Sequence, residues 1–345
     1  MQSGDRTDPT ENEPATDQAT DHPASGQGAG RFAPSPSGDL HVGNLRTAVL
    51  AWLFARSTGR RFLLRMEDLD RVAAGAAERQ LADLAAIGLT WDSPVVRQSS
   101  RSALYREALA QLQQAGRVYE CFCTRREIQQ AASAPHAADG AAPDSSAPDS
   151  SAPDGAYPRT CRHLTPDQLA EHRASGRPPA LRLRAEVGTW TVTDVLAGRY
   201  TGAVDDLVLR RGDGVIAYNL AVVVDDAGQG VDQIVRGDDL LSSAPRQAYL
   251  AHLLELPAVE YAHVPLALNL RGARLAKRDG AVTLADLRRL GRTPAEVLGS
   301  IAASLSLVRP GDRPTLQDLL ERFDPASLPR EPWVVDPVTT CPVAP

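Results

Sequence analysis

No stretch of this 345-residue chain approaches the roughly 18 to 20 consecutive apolar residues needed to cross a bilayer, although hydrophobic residues make up 43% of it. Residues 1–29 also lack the apolar core of a secretory signal, so the cytoplasm is the expected compartment. Cysteine is scarce, with four in all, yet Cys121, Cys123 and Cys161 fall within 41 residues. In a cytoplasmic chain such clustering favours metal binding over disulfides. Cys341 stands apart in Pro-rich sequence and reads as an ordinary thiol. Segment 131–156 has four acids and no Lys or Arg, and residues 1–29 carry six acids against one base. Setting both aside leaves +3 on the remainder of a chain whose formal charge is −6. A mildly basic body is compatible with RNA binding and equally with a near-neutral surface.

The length suffices for a full core in one large or two modest domains, and a soluble enzyme is the default class. Residues 1–29 have no apolar period and read as a disordered tail. Residues 142–156 repeat Ala-Pro-Asp-Ser-Ser, too short and polar for a solenoid, and read as a solvated linker in a surface loop. Elsewhere strand and helix patterns alternate. Strands are expected at 31–33, 61–66, 180–184, 190–195, 206–211, 215–218 and 233–235. Helices are expected at 45–57, with Leu45, Val49, Trp52 and Leu53 on one face, and at 78–87, 103–114, 247–254, 284–290 and 294–304. A strand, a glycine turn, a helix and a second strand open a doubly wound α/β sheet, whose ligands sit at the carboxyl ends of the strands.

The turn after the first strand, Arg31-Phe32-Ala33-Pro34-Ser35-Pro36-Ser37-Gly38-Asp39-Leu40-His41-Val42-Gly43-Asn44, is suited to a nucleotide. Gly38 and Gly43 let the backbone approach a phosphate, His41 can donate to a non-bridging oxygen, and the helix beginning near Gly43 offers unpaired N–H groups. On its own, a His-x-Gly-Asn tetrapeptide is more often a plain turn. The flanking residues change that, because the string resembles the HIGH-motif region of class I aminoacyl-tRNA synthetases in its glutamate-specific form. Asn44 departs from the second histidine of the motif.

Further matches follow in the family's order. Arg65-Met66-Glu67-Asp68-Leu69-Asp70 resembles a segment whose glutamate contacts the amino group of the bound amino acid. Ala217 to Asp226 resembles Tyr-x-Leu-Ala-x-x-x-Asp-Asp, whose tyrosine lines the amino-acid pocket. Arg236-Gly237-Asp238-Asp239-Leu240 resembles a segment whose arginine pairs with a substrate carboxylate, a task that suits a bidentate guanidinium. Arg274-Leu275-Ala276-Lys277-Arg278 stands where the family has KMSKS, with Arg274 for the first lysine and Ala276 for the serine. Taken singly, each of these has a bland reading as a solvated turn, a core tyrosine or a surface loop.

The resemblance implies a Rossmann-type nucleotide-binding fold with an inserted zinc-binding subdomain and a short helical C-terminal part. Its divisions are 30–118 and 180–290 for the two catalytic halves, 119–179 for the insertion, and 291–345 for the C-terminal segment and Pro-rich tail. It implies glutamate contacts from Arg31, Phe32, Ala33, Pro34, Ser35, Glu67, Tyr218 and Arg236. ATP contacts fall to His41, Gly43, Asn44 and Lys277, with His41 and Lys277 offsetting charge on the phosphates. Magnesium is implied with ATP. One structural zinc is implied at Cys121, Cys123 and Cys161. Chemistry alone would choose His163 as its fourth ligand, whereas the shortest members of the family suggest Tyr157.

Only 68 residues follow Lys277, and Asp324 to Pro345 holds six prolines, so a distant anticodon-reading module is not expected. The resemblance therefore points to the short branch, in which L-glutamate is activated without tRNA and passed to the queuosine base in the anticodon of tRNA(Asp). A monomer with no membrane partner is expected. The rivals are a reduced synthetase charging the 3′ end of tRNA, a non-catalytic RNA-binding paralogue, and a nucleotidyl transferase with no RNA partner.

Overall fold

The computed structural model describes residues 28–124, 126–128, 157–275 and 283–336. Most of the expected tail, the whole 131–156 repeat, Cys341 and the Ala276-Lys277-Arg278 part of the second motif lie outside the described residues.

The chain opens with strand β1 (Ala29–Phe32), helix α1 (Val42–Ser57) and strand β2 (Arg61–Met66). Helix α2 (Ala76–Ala86), strand β3 (Val96–Arg97) and helix α3 (Ser102–Gln114) follow. Next come β4 (Val118–Cys121), α4 (Pro166–Ala174), β5 (Ala180–Leu183), β6 (Thr189–Asp194), β7 (Gly198–Ala203) and β8 (Val208–Arg210). Helix α5 (Tyr218–Gly228), β9 (Val231–Gly237), α6 (Ala244–Leu253), β10 (Glu260–Val264) and β11 (Ala267–Leu268) complete the sheet-forming part. Helices α7 (Leu284–Arg289), α8 (Pro294–Ser304) and α9 (Leu316–Glu321) and strand β12 (Trp333–Val334) close it. Among the described residues no helix is long and apolar enough to cross a membrane.

Seven strands form one sheet in the order β3-β2-β1-β9-β10-β6-β7, parallel except for the β6–β7 pair. The order reverses between β1 and β9, and open α/β sheets bind ligands at such a switch point, beyond the carboxyl ends of the strands. Arg31 and Arg236 lie at those two ends. Strands β4, β5 and β8 make a separate antiparallel sheet, which carries Cys121 at its edge.

Helix α1 is apolar on nearly every side, with Leu45, Val49, Leu53 and Phe54 among its buried residues, because the sheet lies on one flank and α9 on another. Strand β12 pairs in parallel with β11, so Pro-rich sequence near the C-terminal end is tied to the body. One expectation is corrected. Residues 215–218 are not a strand: Ile216 makes a single bridge to Arg210, and Tyr218 begins a helix. Strands β3, β4, β7, β10, β11 and β12 and helices α4 and α9 have no counterpart among the sequence expectations.

Candidate active site

Strand β1 ends in the Pro- and Gly-rich turn, and three contacts hold that turn in place. Gln80 from α2, only 1% exposed, donates to the carbonyls of Ser35 (3.1 Å) and Gly38 (2.6 Å). The backbone N–H of Glu67, just past β2, donates to the Pro34 carbonyl at 3.0 Å. Gly38 takes a φ of +150°, a conformation that favours glycine. His41 then caps α1: its Nδ1 accepts from the Asn44 N–H at 3.2 Å, while Asn44 Oδ1 accepts from the His41 N–H at 3.1 Å. This reciprocal capping box gives Asn44 a structural task. It also leaves the ring proton of neutral His41 on Nε2. A side chain at position 43 would meet Ala267 Cβ at 2.9 Å and the His41 ring at 3.0 Å, so close packing already requires Gly43.

The amino-acid side of the site is a network of buried charges. Asp226, 4% exposed on α5, accepts from Arg31 Nε at 3.1 Å and Arg65 Nη1 at 2.7 Å. Burial raises its pKa, yet the two guanidinium groups outweigh that and keep the carboxyl below the usual range. Arg65, fully buried, reaches on to Glu67 at 3.4 Å and to Gln229 at 2.9 Å. Burial pushes the Glu67 carboxyl above its usual range despite the pull of Arg65 and Arg31. Neighbouring Asp225, fully buried, gathers Gln98, Arg101 and the Tyr105 hydroxyl.

On β9, Arg236 donates from Nε to His263 Nε2 at 3.0 Å, from Nη1 to Gln247 Oε1 at 2.7 Å and from Nη2 to the Leu240 carbonyl at 3.3 Å. Tyr218 stands at the first turn of α5, 40% exposed, and lines a cavity of about 1100 Å³ together with Ser35 and Glu67. Burial raises the phenol's pKa, and so does Glu67, while Arg236 and Arg31 act the other way. Glu67, Arg31 and Arg236 are thus all within electrostatic reach of the Tyr218 hydroxyl. Phe32 packs into the main core, Ala33 is half-buried and Pro34 is buried.

Lys277 lies outside the described residues. Its flanks do not: Arg274 pairs with Asp239 at 2.8 Å, and Thr283 bridges to His41. The chain therefore attaches to segments of the site at Arg274 and again at Thr283, on either side of Lys277.

A model of the catalytic domain of class I tRNA synthetases (E and Q) matches residues 29–304. The chain belongs to this family. It is 64% identical over 308 residues to the glutamyl-Q tRNA(Asp) synthetase of Nocardia farcinica, covering 89% of this chain and 93% of that protein. To the enzyme of the same name from Cutibacterium acnes it is 50% identical over 301 residues, 86% of this chain and 81% of the relative. A crystal structure of a glutamate tRNA ligase from Elizabethkingia meningosepticum with its amino acid matches with a TM-score of 0.72 at 25% identity. That match covers 90% of this chain and 67% of the other.

In this synthetase the far end of the same cavity is lined by Cys123, Tyr157 and Arg182. The thiols of Cys121, Cys123 and Cys161 all lie within 4.8 Å of one another, close enough to hold a metal ion. The Tyr157 hydroxyl sits 3.2 Å from the Cys121 sulfur and 3.8 Å from that of Cys123. His163 is exposed and outside this group. Burial opposes ionisation of Cys121, but its hydrogen bond with Tyr157 and the nearby Arg182 bring its thiol below the ordinary range. Burial and the Cys161 thiol push Cys123 up to about 12. Three crowded sulfurs, with the Cys121 thiol brought below its ordinary range, fit a soft, tetrahedral ion.

Sequence reasoning quoted Asp225 and Asp226 within a motif but assigned them no role, and it passed over Gln80, Asp194, Gln247 and His263. An isolated Asp or His among apolar neighbours carries no signal of its partner. That partner is set by which strands lie side by side.

Proposed function

We propose that this synthetase activates L-glutamate with ATP to glutamyl-adenylate without tRNA, and then transfers glutamate to the queuosine base in the anticodon of tRNA(Asp). The observation that carries the glutamate reading is the balance of unspent groups in the site. A guanidinium has five N–H donors. Among the described residues, Arg31 spends three, two on Asp226 and one on the Val235 carbonyl; Arg236 also spends three. Each keeps two, enough for one carboxylate, and Glu67 offers a carboxylate for an ammonium. Glutamate brings two carboxylates and one ammonium. The names of the relatives support the same amino acid and extend the reading to queuosine-bearing tRNA(Asp).

In the first step the α-carboxylate oxygen bonds to the α-phosphorus and the bond to the bridging oxygen breaks, releasing pyrophosphate. No side chain acts as nucleophile. The protein's part is to align the reactants and offset growing negative charge, with His41 Nε2–H and Lys277 as phosphate partners and magnesium entering with ATP. A hydroxyl of queuosine then attacks the activated carbonyl and AMP leaves. Lys277 is the only lysine in a chain with thirty-six arginines, so an amine-directed reagent has one side-chain target in the protein. We assign one structural zinc to Cys121, Cys123, Cys161 and Tyr157, and take the working form to be a cytoplasmic monomer.

The test pairs two assays. ATP/pyrophosphate exchange without tRNA should depend on glutamate, and ATP should slow its loss to lysine acylation. Equal exchange with aspartate or glutamine would sink the glutamate reading. Labelled glutamate should enter tRNA(Asp) that carries queuosine, and equal charging of queuosine-free tRNA(Asp) or efficient charging of tRNA(Glu) would replace the acceptor with the 3′ end.

A further inference from the structure

Against Arg236 lies a second line of buried polar groups. His263, on β10, is directly opposite Arg236 in the parallel β9–β10 register. Its Nε2 accepts from Arg236 Nε at 3.0 Å, and its Nδ1 lies 2.6 Å from Asp194 Oδ2 at the end of β6. Asp194 is itself held by the N–H groups of Leu196 and Ala197, both at 2.8 Å, and of His263 at 3.1 Å. His263 is 4% exposed and Asp194 2%.

These contacts fix the tautomer. Arg236 can only donate, so Nε2 must be the acceptor and the ring proton must sit on Nδ1, facing the carboxylate. The chain Asp194–His263–Arg236 has one consistent proton arrangement, and in it the imidazole is neutral.

We propose that Asp194 and His263 form a positioning relay that holds Arg236 in the orientation in which it receives a substrate carboxylate, and that protonation of His263 releases that hold. The proposal rests on the glutamate reading above and concerns how one of its contacts is set. A proton on Nε2 would place two N–H donors and two cations against each other. The charged groups facing the ring are Asp194 from β6, Arg236 from β9 and Asp238 from the turn after β9, with the neutral Tyr261 ring stacked on it at 5.7 Å. Burial, with Arg236, outweighs the pull of the two aspartates and lowers the pKa of His263 below its ordinary value. The ring is therefore neutral at neutral pH, and the hold weakens as pH falls through that lowered value.

The experiment measures glutamate KM, ATP KM and kcat in tRNA-free exchange for wild type, His263→Ala and His263→Gln across an acid-to-neutral pH range. Gln can accept from Arg236 and donate to Asp194 without titrating. His263→Ala should raise glutamate KM at least about tenfold, the loss of one hydrogen bond to a charged group, with ATP KM little changed. His263→Gln should recover most of that loss. The Glu67 carboxyl titrates in every variant, so the deciding quantity is the ratio of wild-type to His263→Gln glutamate KM, which should rise as pH falls. A ratio that stays flat overturns the relay, and so does a His263→Ala protein with wild-type glutamate KM. Should the Ala variant fail to fold, the Gln ratio decides alone. If the wild-type protein shows no glutamate-dependent exchange, the glutamate reading itself fails and the relay falls with it.

Discussion

At the Glu67 end of the cavity, Arg31, Arg65, Glu67 and Asp226 come from three separate stretches of chain, and Arg31 meets Asp226 across 195 residues. At the Cys123 end, three thiols and a phenol come from two short stretches, Cys121 to Cys123 and Tyr157 to Cys161. The first group is neutralised within the protein, each guanidinium facing a carboxylate, so its geometry is set before any ligand arrives. The second crowds sulfur against sulfur, with Cys123 and Cys161 only 3.4 Å apart, and the charge that would balance several thiolates has to come from an ion. One end of the cavity is held by self-paired charge, the other by chemistry that calls for a metal.

Breaking the paired end at its hub should have the largest effect. Asp226→Ala leaves Arg31 and Arg65 buried without their shared carboxylate, and removing one partner of a buried pair typically costs about 3–5 kcal/mol. Urea unfolding should show a loss of that order, and glutamate-dependent exchange should vanish. A variant of wild-type stability would mean that the network is not what holds the site.

Metal removal tests the other end. Stripping the ion with a chelator, or replacing Cys161 with Ala, should lower the melting midpoint by roughly 5–10 °C and abolish RNA glutamylation. Tyr157→Phe should weaken metal retention and His163→Ala should not, as metal analysis would show. Exchange without tRNA should survive all four changes. If it disappears with the metal, the two ends are not separable.

Glu67→Gln sharpens the contrast within the paired end. Because burial holds the carboxyl's folded pKa above its unfolded value, its contribution to stability is present below the unfolded pKa and is lost as pH rises through the folded one. At pH 7 the Gln variant should therefore unfold at a higher urea concentration than the wild type. Its glutamate KM should nonetheless rise at least about tenfold, through loss of an ion-paired contact to the ammonium. Lower stability at pH 7 would contradict the sign.

The smallest effect concerns Asn44, at the signature turn. Asn44→Ala removes half of a capping box and should cost about 1 kcal/mol, read by urea unfolding, with ATP KM little changed. A large rise in ATP KM would mean that Asn44 touches the nucleotide as well as the helix.

Much of the frame was legible. Helices α1 and α3 and strands β1 and β2 follow the apolar period to within a few residues, because each has a turn signal on at least one side and a plain period. The error at 215–218 is instructive. Ile216 to Val224 is rich in β-branched residues, which locally favour a strand. A helix forms from Tyr218 because Leu220, Val222 and Val223 pack into a core shared with α3 and α6, and such tertiary packing overrides local propensity. Strand β7 was missed because Gly198-Arg199-Tyr200-Thr201-Gly202-Ala203 has no alternation, and it is held by a six-residue pairing with β6.

The family, the amino acid and the metal-ligand candidates were written in the sequence, since motif order and residue chemistry are local properties that survive without coordinates. Only the tertiary structure decided which charges pair. Asp226 serves Arg31 and Arg65, Asp194 faces His263, Asn44 caps its own helix, and Tyr157 rather than His163 stands beside the thiols. The reason is physical: a buried charge is settled by its nearest partner in space, and strand order, which local sequence does not encode, determines who that partner is.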